Sequence, residues 1–264
     1  MMALVATLSM AAPAIAAPSA AIRAAVANPA RLPAELPRDR YRHPAETLAF
    51  FKVAPGQTLV EYSPAAGWYT RILVPLLAGN GHYVAAVGNN AKSQANAAKM
   101  LASIPGGSGA PVTSFDPAAA TIAPAGTADR VLTFRNVHNL LMQSDTGVAG
   151  DGVARAFFAA AFKALKPGGI LGVEDHRLPE NASAEREKNS GYVKRSTVVR
   201  LATAAGFKLD GESEVNANPK DSADWPKGVW TLPPSLDLGE QDRAKYVAIG
   251  ESDRMTLRFV KPAR

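Results

Sequence analysis

The stretch Thr58-Leu59-Val60-Glu61-Tyr62-Ser63-Pro64-Ala65-Ala66-Gly67-Trp68-Tyr69-Thr70 reads as a buried strand that runs through a tight turn into a helix. Pro55-Gly56 supplies the turn before it, and the short apolar run over 58–62 fits a strand covered on both faces. Helical spacing then follows over 68–77, despite Pro75. In an open parallel sheet the ligand sits outside the carboxyl ends of the strands, so this turn is the first place to look for a site. Small residues let the backbone approach a nucleoside-type ligand, and a helix start offers free N–H groups. An acid at the strand end, here Glu61, can anchor a cationic amino group or a ribose hydroxyl. Ser63, Ala65 and Gly67 stand where a Gly-x-Gly-x-Gly pattern would place its glycines, and only Gly67 is one. A tight turn packed with small residues, holding no ligand, would look the same, and the residues alone weigh the two readings equally.

Outward from this stretch, strand and helix signals alternate. Strands are predicted over 82–87, 112–115, 130–134 and 170–173, then from 207 and over 254–260. Helices are predicted over 43–52, 91–103, 153–165 and 193–205, the third of these stopping at Lys166-Pro167-Gly168-Gly169. Strands separated by helices of ten or more residues imply right-handed βαβ units. The expected architecture is α/β, a doubly wound, mostly parallel, seven-stranded sheet. The segment 216–239, dense in Pro, Asp and Trp, is long for a loop and is expected to cover the active face.

Hydrophobic residues make up 47% of the 264, enough for a sizeable core, while the 20% charged residues speak against disorder. The net charge is +6, but acids interrupt the basic residues, as in Arg38-Asp39-Arg40 and Glu185-Arg186-Glu187-Lys188. That scatter argues against a nucleic-acid partner. The opening residues carry no charge before Arg23, and an apolar run to about Ala16 ends in small residues. Residues 1–17 are expected to be a signal peptide, residues 18–40 an Ala/Pro-rich linker or arm, and residues 41–264 the folded domain. A periplasmic or secreted protein follows, with no membrane insertion after cleavage, because the apolar run is too short to span a bilayer. An Ala-rich tail without a signal role is the alternative. No cysteine is present, which removes disulfides and thiolate metal sites.

Several further stretches carry a resemblance. They are Arg42-His43-Pro44-Ala45-Glu46, the turn from Pro64 to Tyr69, Arg135-Asn136-Val137-His138-Asn139 and Leu165-Lys166-Pro167-Gly168-Gly169. Glu174-Asp175-His176-Arg177 and Gly228-Val229-Trp230-Thr231-Leu232-Pro233-Pro234 complete the set. From about Tyr41 onward the chain resembles a family of exported, class I S-adenosylmethionine-dependent methyltransferases with a Rossmann-like fold. The resemblance implies S-adenosylmethionine as cofactor, with Glu61, Ser63, Pro64, Ala65 and Gly67 around its amino-acid part and ribose, and Arg135 and Asn136 beside them. Asn89 takes the place of the acid that normally binds the ribose diol. Asp116 stands where an acid usually meets the adenine amino group, although an acid before Pro117 is also a plain turn former.

The catalytic candidates follow the fourth and fifth strands. Two of the four histidines, His138 and His176, fall at the carboxyl ends of neighbouring strands, and either could act as general base near neutral pH. Asp175 could orient a histidine, Arg135 or Arg177 could bind an acidic group on the substrate, and Tyr192 is a possible lid or base residue. Asp175-His176-Arg177 could equally be a salt-bridge network closing the strand end. No HxxxH or HxH spacing supports a metal, so none is expected. Gly-x-Ser-x-Gly, a Walker loop and an intact Gly-x-Gly-x-x-Gly are also missing, which argues against hydrolase, nucleotidase and dehydrogenase chemistry. Two readings result: a methyltransferase acting on a small molecule, or a non-catalytic ligand-binding module that keeps the fold.

Overall fold

The structure, a computed structural model, describes residues 17–142 and 151–263. The expected signal peptide therefore lies almost wholly outside the described residues. Strand β1 (Thr58–Tyr62) sets the layers, because successive side chains point to opposite faces. Leu59 joins one helical layer, and Val60 and Tyr62 join the other. β2 (His82–Gly88) and β4 (Ala128–Phe134) flank β1, both parallel to it. β3 (Val112–Phe115) continues beyond β2, and β5 (Leu165–Leu178) beyond β4. β8 (Arg254–Val260) runs antiparallel to β5, and β7 (Lys208–Ser213) antiparallel to β8.

The order β3-β2-β1-β4-β5-β8-β7 is the seven-stranded, mostly parallel sheet the sequence predicts. One strand is additional: β6 (Val193–Lys194), a two-residue piece, pairs with the end of β5 off this path. It takes the start of the helix expected over 193–205, which begins instead at Arg195.

One face of the sheet is covered by α1 (Ala20–Val26), α3 (Pro44–Phe50), α4 (Thr70–Leu77) and α5 (Ala91–Ala102). The other is covered by α6 (Val137–Met142), α7 (Gly152–Ala164) and α9 (Arg195–Ala204). α5 shows the local logic. Asn90 caps it by accepting the Ser93 N–H at 2.9 Å, and the buried stripe is Ala97, Met100 and Leu101, the i, i+3, i+4 spacing of one helix face. The Leu165-Lys166-Pro167-Gly168-Gly169 stretch, expected as a turn before the fifth strand, is instead a bulge inside β5. Pairing jumps there from Ala128 opposite Leu165 to Arg130 opposite Ile170.

The folded part begins earlier than Tyr41. Within 18–40, α1 buries Ile22 and Ala25 in the same cluster as α4. Arg31 makes a bidentate pair with Asp39 at 2.6 and 2.7 Å, and Glu35 accepts from Arg71 at 2.9 Å. Local sequence hides this. Two apolar residues among alanines suffice to dock a two-turn helix once α4 is there to receive them, and α2 (Asp39–Arg42) then carries the chain to the cleft. No helix among the described residues is long and apolar enough to cross a membrane.

Candidate functional site

Two cavities open at the carboxyl ends of the parallel strands, one on each side of the turn after β1. The first, of about 280 Å³, is lined by Glu61, Ser63, Pro64, Ala65, Arg135, Asn136, His138 and His176 together with a cover from the 216–239 segment. The second, of about 250 Å³, lies between Ser63, Pro64, Ala65 and the first turns of α5. Sheet topology alone accounts for their position, since β1 and β4 are neighbours and their ends diverge into different layers.

The turn keeps the backbone of a glycine-rich loop without its glycines. Ser63, Ala65 and Gly67 all have positive φ, at 53°, 50° and 85°. A left-handed conformation costs a non-glycine residue about 1–2 kcal/mol, so Ser63 and Ala65 are held against their preference. Asn136 supplies part of the hold: its amide donates to the carbonyls of Tyr62, Ser63 and Phe134 at 3.0–3.3 Å, tying the turn to the end of β4. At Gly67 a Cβ would meet the Met100 sulfur at 2.7 Å, which explains why the third glycine position stays empty of side chain.

Glu61 is 2% exposed, and its two hydrogen bonds, from Tyr83 at 2.6 Å and Thr70 at 2.8 Å, both fall on Oε2. Oε1 is left for the cavity. Burial pushes the carboxyl up to about 7; the two hydroxyl donors and the charge of Arg135 offset only part of that.

Asp175, at the end of β5, is fully buried and has no such vacancy. Oδ2 accepts the backbone N–H groups of Val137 at 2.6 Å and His138 at 3.2 Å. Oδ1 accepts the N–H of His176 at 2.7 Å and lies 2.7 Å from Nδ1 of His138. A carboxylate so placed fixes the imidazole tautomer: the proton sits on Nδ1 and the lone pair of Nε2 is free. The two histidine rings are 5.0 Å apart, and Nδ1 of His176 meets the Ser252 hydroxyl at 2.5 Å. Burial, and after it the charges of His138 and Arg135, hold His176 well below the ordinary histidine range, so it is neutral.

The fold thus gathers three potential metal ligands, His138, Asp175 and His176, within 4.8 Å of one another, although their sequence spacing suggests no metal. Both oxygens of Asp175 already accept two N–H groups each. That is the arrangement of an orienting carboxylate.

Other expected residues lie elsewhere. Tyr192 does not open onto either cavity: it is buried and gives its hydroxyl to Asp221 at 3.0 Å, and burial together with that acid pushes its pKa up, which suits neither a base nor a lid. Arg177 is spent on Asp253 and Glu214, each contacted at 2.8 Å, so the salt-bridge reading holds for it. Asn89 and Asp116 line neither cavity. Their side chains meet each other at 3.3 Å, and Asp116 also accepts the Ala118 N–H as a turn former does.

Sequence reasoning missed Trp68, Tyr69 and Phe134, whose rings form a cavity wall with Tyr69 and Phe134 stacked at 3.6 Å. It also missed Glu251 and Ser252. These precede β8, and because β8 is antiparallel its beginning lies at the carboxyl end of the sheet. An acid and a serine after Gly250 at the head of the last strand were the available signal. Glu251 takes Arg38 at 2.6 Å and both Arg42 and Arg254 at 3.0 Å; burial alone would raise its pKa, but the guanidinium groups outweigh it and bring it down to about 2. The cover from 216–239 brings Val229, Trp230, Pro233, Pro234 and Ser235 to the cavity, whereas Trp225 gives its N–H to Asp221 and packs on Tyr246. Gly228 permits that approach, since a Cβ there would lie 2.1 Å from the Ser190 carbonyl oxygen.

No family model matches this sequence, and no curated protein does. Solved structures do. A SAM-dependent methyltransferase from Aquifex aeolicus superposes with a TM-score of 0.56 at 15% identity, over 85% of this chain and 92% of that one. The [4+2]-cyclase SpnF gives 0.55 at 16% identity, over 83% of this chain and 79% of that one. The carbon methyltransferase CurJ gives 0.51 at 10% identity, over 88% of this chain and 56% of that one. At these identities the likeness establishes the fold, the Rossmann-like sheet of the class I methyltransferases, and nothing finer.

Proposed function

We propose that the chain is an S-adenosylmethionine-dependent methyltransferase acting on a small-molecule acceptor. One observation carries the reading. Glu61, the strained turn 63–67 and the Asp175–His138 pair, contributed by three different strand ends, converge on a single cavity. The residues present fit the cofactor. Glu61 offers a free carboxylate oxygen to an ammonium group, the left-handed turn lets backbone approach the ligand, and the second cavity beside α5 has room for part of a nucleoside.

When bound, S-adenosylmethionine supplies an electrophilic methyl group on a sulfonium. The chain's own part is to hold, orient and deprotonate. His138, with its proton fixed on Nδ1 by Asp175, presents Nε2 to take a proton from the acceptor. His176, neutral and without a carboxylate partner, is the weaker base and helps to shape the pocket. Asn136 is a positioning residue for the turn. Trp230 and the prolines beside it give the cavity an apolar wall. From the apolar run at the start of the chain we also propose export.

A non-catalytic binding module is the second reading, favoured by one feature: the side chains of Ser63 and Ala65 stand where glycines would leave more room. Calorimetric titration with S-adenosylmethionine and S-adenosylhomocysteine, beside Glu61→Ala, separates the two. Micromolar binding that the variant loses supports the methyltransferase. A folded protein that binds neither compound leaves the binding module standing.

A further inference from the structure

Four guanidinium groups, Arg38, Arg42, Arg135 and Arg254, gather behind and beside the cavity, with Glu174 and Glu251 among them and Glu61 in the same lining. Glu251 takes three of these arginines and Glu174 pairs with Arg254 at 3.1 Å. Arg135 is left over. It lines the cavity, its side chain makes no hydrogen bond or ion pair to any described residue, and its Nε is buried without a partner. Arg42, behind Trp68, likewise has both terminal nitrogens buried and unsatisfied. Burying a guanidinium nitrogen without a partner is costly, so an unpaired Arg135 in the cavity wall favours an anionic ligand. Burial, and then the neighbouring charge of Arg135, bring Arg42 down to about 9, while Glu251 offsets part of that.

Resting on the methyltransferase reading, we propose that Arg135, with Arg42 and Arg254 behind it, anchors a carboxylate of the methyl acceptor, so that the acceptor belongs to the small carboxylic acids. The planar fork of a guanidinium suits a carboxylate's two oxygens. The rings of Trp68, Tyr69, Phe134 and Trp230 around the same cavity suit a flat body attached to it. Arg135 leaves β4 at a φ of 60°, an unfavourable conformation for arginine, and lines the cavity there. Arg135 is therefore a specificity-determining residue, and His138 acts on the same bound molecule.

The test uses benzoate as carboxylate probe and benzamide as its uncharged isostere. Each is titrated at constant ionic strength into the full chain, with and without S-adenosylhomocysteine, following the arginine side-chain Nε–H resonances by NMR. Saturable binding of benzoate and none of benzamide is expected. Arg135→Gln should weaken benzoate by about 10- to 100-fold, the worth of a charge-assisted hydrogen bond, and Arg135→Lys by less. The lysine variant also carries the test if the glutamine variant fails to fold.

Equal binding of benzoate and benzamide, or benzoate binding unchanged in Arg135→Gln, overturns the proposal. The cofactor has a carboxylate of its own, so S-adenosylhomocysteine and methylthioadenosine, which lacks the amino-acid part, are titrated as well. If Arg135→Gln weakens the first and spares the second, the anchor serves the cofactor and the acceptor assignment falls. Failure of the wild-type protein to bind S-adenosylhomocysteine sinks the methyltransferase reading separately, because the benzoate titration without it still reports on Arg135.

Discussion

Two buried carboxyl groups serve one cavity, Glu61 in its lining and Asp175 behind His138, and they are built for opposite tasks. Asp175 has four N–H donors on its two oxygens, one of them the imidazole it orients. Glu61 has two hydroxyl donors on one oxygen, no cation within pairing distance, and a pKa brought up to about 7 by burial. Depth of burial does not separate them, since both are almost fully covered. The donor count does. A carboxylate saturated by N–H groups is a fixed anion that holds other groups in place, while an undersupplied one is an acid waiting for a positive charge.

The largest test of this contrast is on the Asp175 side. His138→Ala should lower turnover by about 10²- to 10⁴-fold, the usual worth of a positioned general base, while leaving S-adenosylhomocysteine affinity unchanged. A matching loss of affinity would mean that His138 holds the cofactor instead. Asp175→Ala should also cost stability, about 3 kcal/mol in urea unfolding, because four donors lose their acceptor together.

Next comes pH. A carboxyl whose folded pKa lies above its unfolded value binds its proton more tightly when folded. Stability should therefore fall as pH rises from about 4.5 to about 7 and level off above, by about 3 kcal/mol in all. Glu61→Gln should flatten that slope. His176 works in the other direction: its pKa is depressed, so the stability it contributes is lost as pH falls below its ordinary value of 6.5. If Glu61 meets the cofactor's ammonium group, S-adenosylhomocysteine should bind more tightly as pH rises toward 7 and no more tightly beyond; a flat profile would remove Glu61 from the site.

Smaller effects probe the frame around the pair. Ser63→Gly or Ala65→Gly should stabilise the fold by about 1 kcal/mol each by relieving the left-handed backbone, seen as a higher melting temperature. Loss of stability instead would show that the side chains there contribute contacts worth more than the strain. Tyr192→Phe should cost about 1 kcal/mol through its bond to Asp221 and leave ligand binding untouched. A changed affinity would restore Tyr192 to the site.

The strand positions, the mostly parallel sheet, the site-forming turn and the placing of Glu61, His138 and Asp175 at strand ends were legible along the chain. Each depends on local signals: apolar runs of strand length, a turn rich in small residues, and polar groups immediately after a strand. Asn89 and Asp116 show what local signals leave open. They follow their strands as expected, and their side chains meet each other at 3.3 Å beside the cavities rather than lining them. Tyr192 fails for a related reason, since its partner Asp221 is 29 residues away and nothing local announces it.

By itself, then, the sequence determined the alternating βαβ frame and the strand ends at which chemistry could gather, because hydrophobic period and turn composition act over a few residues. Only the tertiary structure decided which of those residues face one another. The antiparallel last strand carries Glu251 and Ser252 into the cavity, and the arm over 18–40 packs onto α4. The pKa of Glu61 and the unpaired state of Arg135 belong to this second class, because both depend on burial and on the charges that long-range packing places nearby.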